Sequence, residues 1–287
     1  MLFRIAPTPS GYLHLGNAVN FVLTWLAARQ RGAEILLRID DLDADRKRPE
    51  YVDDIFRSID FLGIDYDVGP ASPADFAANW SQRCRLDYYS DTLNRLRDAG
   101  TLYACGLSRR ALQAYGPTYP AEGRQQQLAL DTPNVAWRFR ADGNGEADFV
   151  VRRRDGLPAY QLASLTDDQY FGVTYLIRGQ DLIESTDRQR QLAVALGWTD
   201  FLQARVWHHP LLLSSEGKKL SKSAGDGFIA ETSIRAMRER SNVPEMVYRQ
   251  VARLLKAPAE AEHSLKELLL WGIPDNLFRS VQTVKLS

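Results

Sequence analysis

The residue types best suited to phosphate chemistry stand in two short runs far apart in the chain, His14-Leu15-Gly16-Asn17 and Lys218-Lys219-Leu220-Ser221-Lys222-Ser223. An imidazole can donate a hydrogen bond to a phosphate oxygen, and a glycine puts no side chain between an anion and the backbone. Lysines beside serines, on the polar loop that Ser214-Ser215-Glu216-Gly217 opens, can neutralise charge that grows on a phosphate during transfer. Each run also has a plainer reading, a tight turn for the first and a solvated basic loop for the second. A third group is acidic: Asp40, Asp41, Asp43 and Asp45 could meet a substrate ammonium or a metal, or simply form a solvated turn. The adjacent His208 and His209 fit one core and one surface imidazole better than a metal pair.

Elements must hold these groups in place. From Arg4 to Tyr12 the chain carries Pro7, Pro9 and Gly11, which reads as a first strand leaving into a pre-set loop. A helix follows, with Val19, Val22, Leu23 and Leu26 at helical spacing, Asn17 as N-cap and Gly32 as its stop. Strand, turn and helix start in that order aim unsatisfied N–H groups and the positive helix end at one point, where an anion would sit. Ala33 to Asp40 reads as a buried parallel strand with the acids at its carboxyl end, the edge where ligands lie in open α/β sheets. Helices are expected over 49–62 and 81–99, the second presenting Arg83, Arg85, Arg95 and Arg97 as a solvated face. Over 101–145 the periodicity loosens among glycines, prolines and Gln125-Gln126-Gln127, which reads as a small insert. Residues 147–163 read as a hairpin turning at Asp155-Gly156 and leading into a helix. A strand ending at Arg178, a helix over 185–196 and a helical tail with Leu254, Leu265, Leu268, Leu269 and Leu270 buried complete the chain.

With 287 residues the chain has room for a large α/β domain with an insert and a tail. Lysine plus arginine equals aspartate plus glutamate at 36 each, so any nucleic-acid surface must be a local patch rather than a global field. Cys84 and Cys105 have no cysteine neighbours, which fits a reducing compartment. No long apolar run or leader pattern is present, so a soluble cytoplasmic protein without membrane contact is expected.

The two phosphate-type runs together resemble the HIGH and KMSKS signatures of class I aminoacyl-tRNA synthetases, in the order and separation of that class. Leu37-Arg38-Ile39-Asp40-Asp41-Leu42-Asp43 followed by Arg46 resembles the RIEDTDxxR stretch of the glutamyl-tRNA synthetase family, with Asp40 in place of the glutamate. The run from Asp148 to Ala163 is similar to the family's DFVxRRxDGxxAYQLA, and Leu176 to Ser185 looks like its VIRGxDLLxST, which places Arg178 and Asp181 toward the pocket. The shortness of the tail after Ser223 and the presence of Ser10 in the first motif favour the truncated branch, glutamyl-Q tRNA(Asp) synthetase, which acts on queuosine of tRNA(Asp).

This resemblance implies a Rossmann-like catalytic domain over 1–100 and 146–223, an acceptor-binding insert over 101–145 and a helical subdomain over 224–287. It implies ATP with Mg2+, glutamate and a tRNA as substrates, and a monomer is expected. His14, Gly16, Asn17, Lys219, Ser221 and Lys222 would hold ATP and its transition state, all but Ser221 as catalytic groups. Arg4, Ala6, Thr8, Asp40, Tyr160 and Arg178 would bind glutamate, the arginines as forks for carboxylates and Asp40 with Tyr160 at the ammonium end. The truncated branch usually carries zinc on Cys-x-Cys and Tyr-x3-Cys. Here Cys105 and Tyr119 remain while Leu107 and Gly123 stand in the other two places, so no structural zinc is expected. The insert would then be ordered by apolar packing of Leu107, Leu112 and Tyr115. Two other readings stay open: a glutamate-activating ligase with a different acceptor, and a catalytically silent paralogue that binds tRNA or nucleotide.

Overall fold

The computed structural model describes residues 1–42, 48–113, 115, 119–120, 122–141, 147–212, 233–241 and 243–283. Its packing divides the chain into two compact units, one of 1–84, 173–183 and 204–283, the other of 85–172 and 184–203.

The first unit is built on a five-stranded sheet of order β2-β1-β6-β7-β8, with β1 Leu2–Ile5, β2 Glu34–Leu37, β6 Tyr175–Gly179, β7 Arg205–His209 and β8 Arg279–Ser280. The first four strands run parallel and β8 closes the edge antiparallel to β7. The chain runs from β1 through helix α1, Leu15–Gln30, to β2, and later returns to β6 on the other side of β1. That reversal makes the carboxyl ends of β1 and β6 the switch point, where open α/β sheets take their ligands. Helix α1 is buried on nearly all sides, from Leu15 and Val19 to Leu26 and Ala28, because the helices Glu245–Leu255 and Leu265–Trp271 cover the face turned away from the sheet. A helix that is apolar all round belongs in such a place. The cover is fastened where Gln30 Oε1 accepts the Ile273 N–H at 2.7 Å and Arg31 donates to the Ile273 carbonyl at 3.0 Å. Phe278 joins Phe3, Tyr175 and Trp207 in an aromatic cluster beneath β8. Of the tail leucines, Leu268 is fully buried, whereas Leu270 is 80% exposed, because it lies on the outer side of a helix that buries only one stripe.

The second unit carries the antiparallel sheet β3-β4-β5, formed by Leu102–Cys105, Ala136–Phe139 and Phe149–Arg152. Two of these strands fall inside the stretch where periodicity is weak, being four residues each and separated by a long connection. After β5 the chain turns at Gly156, whose φ of +89° favours glycine, and enters the helix Tyr160–Tyr170. That helix packs on the helix Leu86–Asp98. Arg85 does not belong to a solvated face: it is buried, its Nε 2.9 Å from Asp167 Oδ1, and Tyr89 donates to the same carboxylate at 2.8 Å. Arg95 likewise turns inward, donating to the Leu196 carbonyl at 2.7 Å.

Candidate active site

The turn between β1 and α1 is held by a reciprocal cap. His14, in extended backbone, is the N-cap in place of Asn17: its Nδ1 accepts the Gly16 N–H at 3.0 Å, and Asn17 Oδ1 accepts the His14 N–H at 3.0 Å. An imidazole whose Nδ1 accepts carries its proton on Nε2, so the ring presents an N–H donor from the head of the helix. Gly16 is needed for a reason the sequence does not display. A Cβ there would lie 2.9 Å from His14 Cε1, so any side chain would push the ring out of its cap.

A second segment locks the same turn. Ser233 forms an antiparallel bridge with His14, and the Ile234 N–H donates to the Leu13 carbonyl at 2.8 Å. Arg235 Nη1 donates to the Tyr12 hydroxyl at 2.6 Å and its guanidinium lies 4.9 Å from the centre of that ring. Tyr12 stands edge-on to Tyr51 at 5.0 Å, and Arg238 donates at 2.8 Å to the buried Asp54 of helix α2, Pro49–Phe61. Sequence inspection passes over Tyr12, Ser233 and Arg235, because nothing in their spacing announces that they meet. Lys219, Ser221 and Lys222 lie outside the described residues, as do Asp43, Asp45 and Arg46.

At the carboxyl edge of the sheet, Arg4 on β1 and Arg178 on the adjacent β6 are both buried, as is Asp40 beyond the end of β2. Ala6 is half-buried and Thr8 exposed on the loop after β1, and the Asp40 N–H donates to the Pro7 carbonyl at 2.9 Å. Asp40 is gripped by Arg38 through Nε to Oδ1 at 2.7 Å and Nη2 to Oδ2 at 3.0 Å. Asp41 has a structural task, accepting the Ser81 hydroxyl at 2.7 Å and the Gln82 N–H at 2.8 Å. Arg178 is paired in register with His208. Burial, reinforced by the Arg178 charge and only partly offset by Asp181, pushes His208 down to about 4 from 6.5. His209 is buried deeper, its Nε2 3.2 Å from Asn20 Nδ2 and its Nδ1 2.8 Å from the Pro210 carbonyl oxygen, and its pKa is also lowered by burial. Tyr160 belongs to the second unit, as the half-exposed first residue of its helix.

The described residues do not fit a zinc site. The Tyr119 hydroxyl donates to Cys105 Sγ at 3.0 Å, and a Cβ at Gly123 would fall 1.9 Å from that hydroxyl. The phenol therefore fills the space from which a side chain at 123 would reach inward. Burial and the contact with Cys105 push its pKa up to about 12, so in this contact it is a neutral donor. Leu107 and Leu112 pack on this cluster, the Arg138 guanidinium lies 3.7 Å from the Tyr119 ring centre, and Tyr115 stays outside, 47% exposed. Among the described residues no group of three or more His, Cys, Asp or Glu could hold a metal ion, and no helix is long and apolar enough to cross a membrane.

Residues 1–127 and 132–269 match the family model of class I tRNA synthetases (E and Q), catalytic domain. A glutamyl-Q tRNA(Asp) synthetase of Pseudomonas fluorescens is 35% identical over 94% of this chain and 90% of its own length. One of Parasynechococcus marenigrum is 38% identical over 93% of this chain and 87% of its own. Among solved structures, a glutamate-tRNA synthetase from Elizabethkingia anophelis superposes with a TM-score of 0.75 at 25% identity, covering 99% of this chain, which spans 66% of that longer one.

Proposed function

The chain belongs to the class I tRNA synthetases for glutamate and glutamine, a family of ligases sharing a Rossmann-like catalytic domain, and from that premise we propose that it activates glutamate with ATP and transfers it to the queuosine of a tRNA(Asp). In the first step a glutamate α-carboxylate oxygen attacks the α-phosphorus of ATP, supplied as its magnesium complex. The α–β phosphoanhydride bond breaks and pyrophosphate leaves. In the second, an acceptor hydroxyl attacks the acyl carbon of glutamyl-adenylate, an ester forms, and AMP departs with the hydroxyl proton passing to solvent or phosphate.

No protein nucleophile is required, so catalysis rests on alignment and on meeting charge that develops at phosphorus. The observation that carries this reading is the His14–Asn17 cap, which presents the Nε2–H donor and the positive end of α1 together at the sheet's switch point. Lys219 and Lys222 would supply positive charge from the segment whose exit is pinned to that turn at Ser233. Arg4 and Arg178 are suited to the two carboxylates of a dicarboxylic amino acid, and Asp40 to its ammonium.

The test is ATP–pyrophosphate exchange across the amino acids without RNA. Exchange supported by glutamate above all others is the expected result. Exchange favouring another amino acid would reject the substrate, and none with any amino acid, with or without tRNA, would reject the activity.

A further inference from the structure

The second unit contains a cavity of about 700 Å3, within the range that holds a nucleoside-sized ligand. Its floor holds Ala136 and Arg138 of β4 and Val150 of β5, with Leu107 and Leu112 as an apolar wall. Its lining also holds cationic groups, with Arg153 and Arg154 beside Tyr160. Tyr160 begins a helix of 11 residues whose N-cap, Ala159, offers no side-chain bond and whose first turn contains no acid, so the open N–H groups of that helix end face the same place. Arg154 uses Nη2 on the Gly106 carbonyl at 2.6 Å, and Arg153 shares a surface ion pair with Asp155 at 2.5 Å. Three guanidinium groups, Arg138 among them, against one carboxylate, together with a helix N-terminus, leave a net positive edge beside an apolar wall.

That combination is complementary to a nucleotide, a flat ring for the floor and a phosphate for the edge. We propose that the cavity receives one nucleotide of the acceptor RNA, with its base against Ala136, Val150, Leu107 and Leu112 and a backbone phosphate at Arg153, Arg154 and the helix end. The proposal rests on the reading that the acceptor is an RNA. It assigns ATP elsewhere, to the turn at His14 in the first unit. Leu107, which stands where a zinc-bearing relative would show a cysteine, has its own use here as part of the apolar wall.

The experiment compares wild type with Arg153→Ala/Arg154→Ala and with Ala136→Phe, which fills the floor without touching charge. Wild-type glutamate-dependent exchange and glutamate transfer to tRNA are measured first, and failure of either rejects the functional reading rather than the cavity. With both in place, the double variant is expected to exchange like wild type while its KM for tRNA in transfer rises about tenfold, and the slope of log affinity against log salt falls by about one to two. Ala136→Phe should raise the same KM with no change of salt slope. Transfer kinetics and salt slope like wild type in both variants would overturn the proposal. So would a raised KM for ATP in exchange, which would mark the cavity as a site for the free nucleotide.

Discussion

His14 takes its orientation from two neighbours, one lending a side chain and the other having none: Asn17 fixes its backbone and Gly16 leaves room for its ring. Asp40 stands where the family pattern has a glutamate. It is one methylene shorter than glutamate and is already held by both donors of the Arg38 fork, so its carboxylate is fixed in place rather than reaching outward. Asp40→Asn is expected to raise the KM for glutamate in exchange and to cost stability of about 2 kcal/mol, the scale of a buried charge-assisted bond. Asp40→Glu should leave that KM unchanged or higher. A glutamate KM untouched in Asp40→Asn would show that another group meets the ammonium. His208 makes a prediction in pH. Its folded pKa of about 4 lies below the usual 6.5, so protons bind the unfolded chain first. The folded state is therefore at full strength above that ordinary value and loses stability as pH falls toward the folded one. Melting temperatures followed across that window should decline less steeply in His208→Gln.

At the scale of elements, the exit of the lysine-bearing segment and the start of α1 form one structural piece through the Ser233–His14 bridge and the Arg235–Tyr12 bond. Tyr12→Phe removes the hydroxyl and keeps the ring against Tyr51. It is expected to lower kcat of exchange about fivefold, the worth of one bond of about 1 kcal/mol, with the KM for glutamate unchanged. Arg235→Ala combined with Tyr12→Phe should be no worse than Arg235→Ala alone, because both remove the same bond. Additive losses, or a fall in melting temperature that accounts for the activity, would reduce the pair to ordinary packing. In the second unit only Cys105 and Tyr119 remain of the four expected ligands, so chelators are expected to leave the melting temperature unchanged and metal analysis to find no zinc. One zinc per chain would overturn that.

The strand–turn–helix at the start was readable because prolines, glycine and a helical repeat all punctuate the same few residues. The N-cap fell three residues earlier than Asn17, since a histidine seldom caps and its ring bond to Gly16 leaves no trace in spacing. β3 and β4 escaped because four-residue strands far apart in sequence pair by tertiary contact, which periodicity cannot register. The burial of Arg85 was hidden for a similar reason: its partner Asp167 lies 82 positions away.

Across the whole molecule, the first unit carries the cap and the buried arginines at a switch point, and the second carries Tyr160 and the arginine-edged cavity. Such a division suits an enzyme that activates a small acid and then passes it to a large acceptor. The claim that joins these parts is that glutamate ends on an internal nucleoside and not on the 3′ end. The measurement that reaches it most directly is transfer of radiolabelled glutamate to tRNA(Asp) with its 3′-terminal adenosine removed, prepared with and without queuosine. Label should appear on the queuosine-containing tRNA despite the missing end, and not on the queuosine-free one. Label that requires the 3′ adenosine, or that ignores queuosine, would contradict the account.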